Sequence, residues 1–385
     1  MGFSKAGLDR MHDVLAGHVE RGAAPGLVSV VCRHGEAHVD PIGAQAVGGA
    51  PMRADAIFRI TSMTKPVTAV ATLILAEECL VRLDEPVDRL LPELAGRRVL
   101  RTVDGPLDDT VPAHRPITVR DLLTFRMGFG LLLGPGTDPI SRAAAELRLN
   151  VGPPVPAIPH TPDEWLRRLG TLPLMAQPGE RWIYNTGSHV LGVLIARASG
   201  QPLETFLRER VFEPLGMKDT GFHVPADKAG RFAAPYEEGL VPHDDGGQWL
   251  APPVFPDGAA GLVSTAADYL AFSQMLLNKG ERILSRLSVE AMTTDQLTPA
   301  QKAVSDFAGL WDTRGWGFGV SVVTKRDGIS AVPGRYGWDG GYGTSWSADP
   351  AEDMSAILMT QRLGFPAAVP LQQDFWTTAY AAIAD

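Results

Sequence analysis

The stretch FRITSMTKPV at residues 58–67 contains a Ser-x-x-Lys motif formed by Ser62 and Lys65. Residues 58–60 are typical of a strand, and the residues after the motif repeat apolar side chains at helical spacing. These apolar positions are Val67, Val70, Ala71, Ile74 and Leu75. The pattern predicts a buried helix that carries the serine and the lysine at its N-terminal end.

Residues three apart on a helix share one face, so Ser62 and Lys65 are expected to lie side by side. A serine hydroxyl becomes a nucleophile only when a base takes its proton, and a lysine whose pKa is lowered by its surroundings can be that base. The free N–H groups of the helix start would help to hold a developing oxyanion. The alternative is an N-cap serine followed by a surface lysine, and the apolar flanks argue against it.

A second candidate element is WIYNTG at residues 182–187, which contains Tyr184. A lysine cation close to this tyrosine would draw its pKa down from about 10, and the phenolate could then relay the serine proton. The alternative is an interface tyrosine whose hydroxyl makes one hydrogen bond. Sequence spacing does not decide between these interpretations.

A third candidate element is YGWDGGYGTS at residues 336–345. Glycines this dense beside a strand let the backbone approach a bound group, and the N–H of Gly341 would suit an oxyanion. The alternative is a plain hairpin turn, because Asp-Gly is a strong turn signal.

Composition limits the class of protein. The chain has 385 residues, of which 45% are hydrophobic and 21% charged, so we expect a folded core and not disorder. The net charge is −9 with no basic stripe, which argues against nucleic acid as a partner. The sequence shows neither a secretory signal nor an apolar stretch of roughly 18 residues, so we expect no membrane association. Two cysteines, Cys32 and Cys79, are expected to be buried free thiols in a reducing cytoplasm.

Strand patterns occur near both chain ends, and helical patterns fill the middle. We therefore predict an α/β (α+β) fold with one antiparallel sheet built from both ends, flanked by helices, and an inserted helical lobe. The predicted segments are an α/β lobe in two parts, residues 1–85 and 225–385, and a helical lobe at 86–224. Predicted helices are centred on residues 8–19, 67–75, 119–124, 162–169, 189–198, 203–212, 266–277 and 372–383. Predicted strands are 27–32, 37–39, 317–324, 344–348 and 355–360, and residues 131–162 read as a long Gly- and Pro-rich loop.

Taken together and in this order, the three elements resemble the serine β-lactamase and penicillin-binding-protein superfamily. The chain is most similar to the family VIII carboxylesterases, which share the class C β-lactamase fold. Supporting stretches are ITVRDLLT at 117–124, FEPLGM at 212–217 and GLVSTA at 261–266. The resemblance spans nearly the whole chain.

The resemblance implies a role for each matching residue. Ser62 would be the acylated nucleophile, Lys65 its partner and Tyr184 the motif tyrosine. The residues Trp338-Asp339-Gly340 would stand where β-lactamases carry Lys-Thr-Gly, as part of the substrate site. The N–H groups of Ser62 and Gly341 would form the oxyanion hole.

Two departures from the family pattern bear on the substrate. Thr186 occupies the asparagine position of Tyr-x-Asn. Matching Asn185 to that asparagine would put Ile183 at the tyrosine position and remove the phenol, so we reject that alignment. Trp338 replaces a lysine that pairs with the substrate carboxylate in β-lactamases. Both changes argue against recognition of β-lactams and peptidoglycan.

We therefore expect a carboxylesterase that acts on small carboxylic esters through an acyl-enzyme on Ser62. The expected partner is a small-molecule ester, and the chemistry requires no metal and no organic cofactor. The alternatives are a β-lactamase or D-amino-acid peptidase, an acyltransferase that uses the same acyl-enzyme, and a non-catalytic penicillin-binding sensor.

Overall fold

Strands from both ends of the chain form one antiparallel sheet in the computed structural model, which describes residues 2–132, 136–150, 158–244, 246–305, 307–364 and 369–384. The strands are β1 (Gly26–Arg33), β2 (Glu36–Gly43), β3 (Phe58–Arg59), β4 (Arg98–Leu100), β5 (Thr110–Pro112), β6 (Val263–Ser264), β7 (Arg314–Trp316), β8 (Ser321–Val323), β9 (Tyr336–Asp339), β10 (Ser345–Asp349) and β11 (Met354–Met359). The main sheet has the order β2-β1-β11-β10-β9-β8-β7, and β3–β6 and β4–β5 form two small sheets. The predicted architecture is confirmed.

Helices cover both faces of the main sheet and fill the middle of the sequence. They are α1 (Lys5–Glu20), α2 (Thr64–Glu77), α3 (Val119–Leu123), α4 (Pro139–Glu146), α5 (Pro162–Thr171), α6 (Thr186–Ser199), α7 (Leu203–Leu207), α8 (Glu213–Leu215), α9 (Ala266–Leu277), α10 (Arg286–Met292), α11 (Pro299–Ala303) and α12 (Val369–Ala381). A π-helical turn at Arg208–Phe212 joins α7 to α8.

The two ends of the chain meet at the pair β1–β11, in which Val28 lies opposite Met359. Every residue of β1 is buried, because helices cover both faces of this strand. This explains its continuous run of β-branched residues in place of an alternating pattern. Strand β2 is the edge, with mostly exposed residues and a proline, Pro41, that an edge tolerates.

Alternate residues of β1 belong to two different apolar clusters. Leu27 and Val31 pack with α1 and α12 on one face of the sheet. Val28 and Val30 belong to the largest cluster, which continues through α2 and α9 into the helices of the middle segment. The helical segment therefore shares a core with the sheet, and the lobe boundaries at residues 85 and 224 remain a prediction.

Several local expectations were wrong. The segment 131–162 is not a plain loop, because Asp138 caps a helix, α4, by accepting from the Ser141 N–H. The strands β7 and β9 were not predicted, since each has only three or four residues. Cys79 is exposed, whereas Cys32 is buried as expected, and both are free thiols.

The helices were also searched for membrane-spanning character. Within the residues that the structure describes, none is both long and apolar enough to cross a bilayer.

Candidate active site

Ser62 lies at the entrance to α2, in a short 3-10 turn at Thr61–Met63. The Met63 N–H donates to the Ile60 carbonyl at 3.0 Å and closes this turn. Pro66 is tolerated because it lies in the first turn of α2, where N–H groups have no helical acceptor. The serine side chain is half-buried, so it can meet a substrate.

Lys65 is the buried partner of Ser62. Its side chain is fully buried, and its Nζ lies 3.0 Å from Ser62 Oγ and 2.8 Å from the Ala259 carbonyl oxygen. Burial lowers the pKa of Lys65 to about 7, although the negative charge of Asp257 acts in the opposite direction. The amine is therefore neutral in a large fraction of molecules near neutral pH, which a general base requires.

Tyr184 lies on the other side of the serine. Its hydroxyl is hydrogen-bonded to that of Ser62 and accepts the Trp338 indole N–H at 2.7 Å. Lys65 Nζ lies 4.6 Å from the centre of the tyrosine ring, over its face. The structure thus brings together four residues that the sequence predicted from three distant segments.

The expected acidification of Tyr184 is wrong. Burial raises the pKa of Tyr184 well above its ordinary value, and the hydrogen bonds from Ser62 and Trp338 offset this only in part. The expectation failed because the neighbouring Lys65 is itself desolvated and easily loses its charge. Tyr184 is therefore a protonated phenol at neutral pH and can donate a hydrogen bond.

Strained backbone flanks both hydroxyl groups. Thr61, directly before Ser62, has a φ of 42°, which is rare for a β-branched residue. Asn185, directly after Tyr184, has a φ of 86° and a ψ of −63°, and the Thr186 N–H reaches back to the Tyr184 carbonyl at 3.2 Å in a γ-turn. Each such position costs on the order of 1–3 kcal/mol and persists only where the surrounding structure imposes it.

The glycine-rich turn after β9 packs against the backbone that leads to Ser62. A Cβ atom on Gly340 would lie 2.4 Å from the Ile60 carbonyl oxygen and 2.7 Å from Thr61 Oγ1. Only glycine allows this approach, and it places Gly341 beside the serine turn. The position agrees with the predicted oxyanion donor.

The family assignment follows from comparison with known proteins. The family model described as Beta-lactamase matches residues 11–376 of the chain. The chain belongs to the Beta-lactamase family. With the Ser62–Lys65 pair in place, it is a serine hydrolase of this family.

Relatives within the Beta-lactamase family include proteins from two bacteria. Protein Rv1367c of Mycobacterium tuberculosis is 42% identical over 340 residues, which cover 84% of this chain and 82% of the relative. Esterase EstB of Burkholderia gladioli is 34% identical over 365 residues, covering 87% of this chain and 85% of the relative. The solved structure of EstCE1, a hydrolase with promiscuous acyltransferase activity, shares the fold with a TM-score of 0.80 at 24% identity, covering 97% of this chain and 99% of that one.

At the position of the family Lys-Thr-Gly motif, the structure separates Trp338 from Asp339. Neighbouring residues of a strand point to opposite faces, and Trp338 points toward Tyr184. The Asp339 carboxylate accepts the hydroxyl hydrogen of Ser345, which lies opposite it on β10 and also accepts the Trp376 indole N–H from α12. The expectation that the Asp339 side chain lines the substrate site is therefore not met.

Sequence analysis missed the aromatic cluster that supports the Tyr184 ring. Trp182 stacks on it at 5.5 Å between ring centres, and Phe125 meets it edge-on at 5.6 Å. Trp316 packs edge-on against Trp338 at 4.7 Å. These rings come from four separate segments, so no local pattern could have grouped them, although the tryptophan content was a signal.

Sequence analysis also missed a buried acid behind Lys65. Asp257 and His189 are both almost fully buried, and their Oδ1 and Nε2 atoms lie 3.4 Å apart. The available signal was an aspartate inside the apolar run that follows Phe255.

Neither a metal site nor the main cavity adds to this chemistry. In the described ranges, no group of three or more His, Cys, Asp or Glu side chains could hold a metal ion. This covers His243 and Asp244, while Asp245 lies outside the described residues. A cavity of about 490 Å³ lies beside β4 and β5, and its walls include Arg101, His114 and Met175 but none of the residues around Ser62.

Proposed function

We propose that the protein is a carboxylesterase that hydrolyses small carboxylic esters through an acyl-enzyme on Ser62. The observation that carries the proposal is the 3.0 Å contact between Ser62 Oγ and a fully buried Lys65 amine whose pKa burial lowers to about 7. The similarity to esterase EstB at 34% identity supports the ester as substrate.

In the proposed acylation step, Ser62 Oγ attacks the ester carbonyl carbon and its proton passes to the neutral Lys65 amine. The N–H groups of Ser62 and Gly341 would hold the oxyanion that forms. The phenol of Tyr184 would then give its proton to the leaving alkoxide, because it is protonated and hydrogen-bonded to Ser62. The Lys65 ammonium returns a proton to Tyr184, so the alcohol leaves neutral.

In the proposed deacylation step, water attacks the acyl carbon and gives its proton to the neutral Lys65 amine. Ser62 Oγ leaves and takes that proton back, which releases the carboxylic acid and restores the resting enzyme. The same group thus serves as base and then as acid, as microscopic reversibility requires.

The surface beside Ser62 favours apolar esters. Tyr184, Trp338, Phe307 and Leu310 are half-buried members of the aromatic cluster and keep part of their apolar surface exposed. Trp338 donates its indole N–H to Tyr184, where a β-lactamase of the resembled pattern has a lysine for the substrate carboxylate. A neutral ester needs no such cation, whereas a β-lactam carboxylate does.

The proposed location is the reducing cytoplasm. Both cysteines are free thiols and Cys79 is exposed, a state that oxidising compartments do not favour.

The proposal is tested by a panel of substrates. We expect wild-type protein to hydrolyse p-nitrophenyl acetate and butyrate, and the Ser62→Ala variant to lose this activity with its circular dichroism unchanged. A fluorophosphonate should add one phosphonyl group, which peptide mass spectrometry should place on Ser62. Ester turnover that survives Ser62→Ala would refute the assignment.

The same panel separates the alternatives. A chromogenic cephalosporin hydrolysed as fast as the butyrate ester would show a β-lactamase. Added butanol that takes most of the acyl group in place of water would show an acyltransferase. We expect free acid as the main product and little cephalosporin turnover.

A further inference from the structure

Behind Lys65, on the side away from the substrate, lies a buried acid–base pair that the proposed mechanism does not use. Asp257 and His189 are only 4% and 1% exposed, and His189 Nε2 lies 3.4 Å from Asp257 Oδ1. His189 belongs to α6, two residues after its start, while Asp257 precedes β6. The pair therefore joins two segments that are distant in sequence at the rear of the site.

One peptide unit connects this pair to the catalytic lysine. The Asp257 carboxylate accepts the Ala259 N–H at 2.7 Å, and the carbonyl of Ala259 accepts the Lys65 amine at 2.8 Å. The same amine donates to Ser62 Oγ at 3.0 Å. A continuous set of hydrogen bonds thus runs from Asp257 to the nucleophile.

The turn that carries Asp257 is tightly held between two helices. The Thr68 hydroxyl of α2 donates to the Gly258 carbonyl at 2.7 Å. A Cβ atom on Gly258 would lie 2.7 Å from the Ser188 carbonyl oxygen of α6, so the turn approaches that helix more closely than any other residue allows. The position of Ala259 relative to Lys65 is therefore set by packing and not by a free loop.

The His189 ring is fixed in a way that suits support of a carboxylate. It stacks on Trp165 with 5.5 Å between ring centres and an interplanar angle of 21°. Its second nitrogen, Nδ1, is buried and has no hydrogen-bond partner among the described residues. A buried imidazole with one partner is expected to put its proton on Nε2, toward Asp257, and to leave Nδ1 as a lone pair.

Charge favours the same arrangement. Burial raises the pKa of Asp257, but the charge and hydrogen bond of His189, the Ala259 N–H and the Lys65 amine outweigh it, so its pKa lies below the ordinary value. The charged and titratable groups around Lys65 are then Asp257 behind it and Ser62 and Tyr184 in front. Of these, Asp257 is the group that carries a charge at neutral pH.

We propose that Asp257 and His189 are positioning residues for Lys65, which hold the Ala259 carbonyl against its amine and place one negative charge behind it. Burial without an opposite charge would make Lys65 an acid so strong that its neutral amine would be a poor base. The Asp257 charge keeps the amine basic enough to take the Ser62 proton, and His189 keeps Asp257 ionised. This inference rests on the proposed role of Lys65 as the base.

The test measures how fast the fluorophosphonate labels Ser62 between pH 5 and 9. In the wild type we expect the rate to rise through a midpoint near pH 7, where Lys65 loses its proton. Asp257→Asn keeps a carbonyl oxygen for the Ala259 N–H but removes the charge. We expect its midpoint to move to lower pH by about half a unit or more, and its rate on the alkaline plateau to fall several-fold.

Matched variants separate positioning from stability. Asp268→Asn changes another poorly exposed acid, which accepts from the Asp219 N–H and the Thr220 hydroxyl, and should leave the midpoint unchanged. His189→Leu should shift the midpoint in the direction of Asp257→Asn, whereas His189→Gln retains a donor and should keep the wild-type midpoint. The double variant Asp257→Asn/His189→Leu should shift no further than Asp257→Asn alone.

The outcomes are distinct for the two proposals. Midpoints that stay at the wild-type value in Asp257→Asn and His189→Leu, with only the melting temperature lowered, would overturn the positioning role. If Asp257→Asn does not fold, the comparison of His189→Leu with His189→Gln decides. A wild-type protein whose Ser62 is never labelled would instead refute the esterase proposal itself.

Discussion

At the scale of single residues, the environment divides the work between Lys65 and Tyr184. Both are desolvated, but desolvation favours the neutral form of each, which is the amine of a lysine and the phenol of a tyrosine. A neutral amine accepts a proton and a phenol donates one. The pair therefore supplies a base and an acid at the same pH without a histidine.

Tyr184→Phe tests this division. Because the phenol carries no charge near neutral pH, its removal should lower kcat by roughly 10²–10⁴ while the acid midpoint of the kcat–pH profile stays near pH 7. Trp338→Phe, which keeps the phenol but removes its 2.7 Å donor, should cost about tenfold. A profile whose acid midpoint disappears or moves with Tyr184→Phe would assign that midpoint to the pair and not to Lys65.

Lys65→Met tests the burial of the amine through stability. The pKa of Lys65 is about 7 in the folded protein against 10.5 for an ordinary lysine, so between these values the unfolded chain binds a proton that the folded chain lacks. Stability of the wild type therefore rises with pH across this window, and the cost of burying the charge is fully present below pH 7. Relative to Lys65→Met, the free energy of unfolding of the wild type should increase by about 2 kcal/mol from pH 7 to pH 9.

Urea titrations of both proteins at several pH values give this difference, and other titrating groups cancel because both proteins contain them. A difference that stays constant with pH would show that Lys65 keeps its proton in the folded protein.

At the scale of elements, the site depends on the packing of two turns. The residues before Ser62 and the glycine-rich turn after β9 touch through Gly340, where a Cβ would lie 2.4 Å from the Ile60 carbonyl oxygen. Backbone atoms cannot move aside as side chains do. Any side chain at position 340 must therefore separate the serine turn from Gly341.

Gly340→Ala should reduce kcat/KM for p-nitrophenyl butyrate by about 100-fold or more, since one oxyanion donor contributes on that order. Gly328→Ala is the control, because a Cβ there meets no atom within 4 Å. It should leave kcat/KM within twofold of the wild type. An active Gly340→Ala enzyme would remove the Gly341 N–H from the proposed oxyanion hole.

At the scale of the whole molecule, one sheet separates a structural layer from a catalytic layer. Helices α1 and α12 cover the face that carries Leu27 and Val31, and α2 with Ser62 lies on the opposite face. Strand β1 is shared by both layers, so the chain must bring its two ends together before either layer is complete. We expect folding to be cooperative across both layers.

Phe375→Ala tests this separation of layers. Phe375 of α12 is fully buried in the structural layer, so its truncation should lower the free energy of unfolding by about 3–5 kcal/mol. Below the unfolding temperature, kcat should stay close to that of the wild type, because the change lies across the sheet from Ser62. Gln373→Ala, on the exposed side of the same helix, should change stability by less than about 0.5 kcal/mol. A large loss of kcat in folded Phe375→Ala protein would show that the two layers are coupled.

Sequence alone was sufficient where a single segment carries the signal. The helices α1, α2 and α9 follow from their apolar spacing and caps, and the strands β1 and β11 from their apolar runs. Ser62 and Lys65 were also within reach, because both lie on one short turn. The orientation of Asp339 was not, since it depends on which face of a three- or four-residue strand meets the catalytic helix.

The sequence by itself determined the nucleophile, its lysine and the family, because these depend on motifs whose spacing is local. Only the tertiary structure decided the protonation of Tyr184, since burial by rings from other segments outweighs the nearby amine. It also decided that Asp257 and His189 stand behind Lys65, although 68 residues of sequence separate them. A pKa is set by everything within a few ångströms of the group, and in this protein those neighbours come from α2, α6 and the turn before β6.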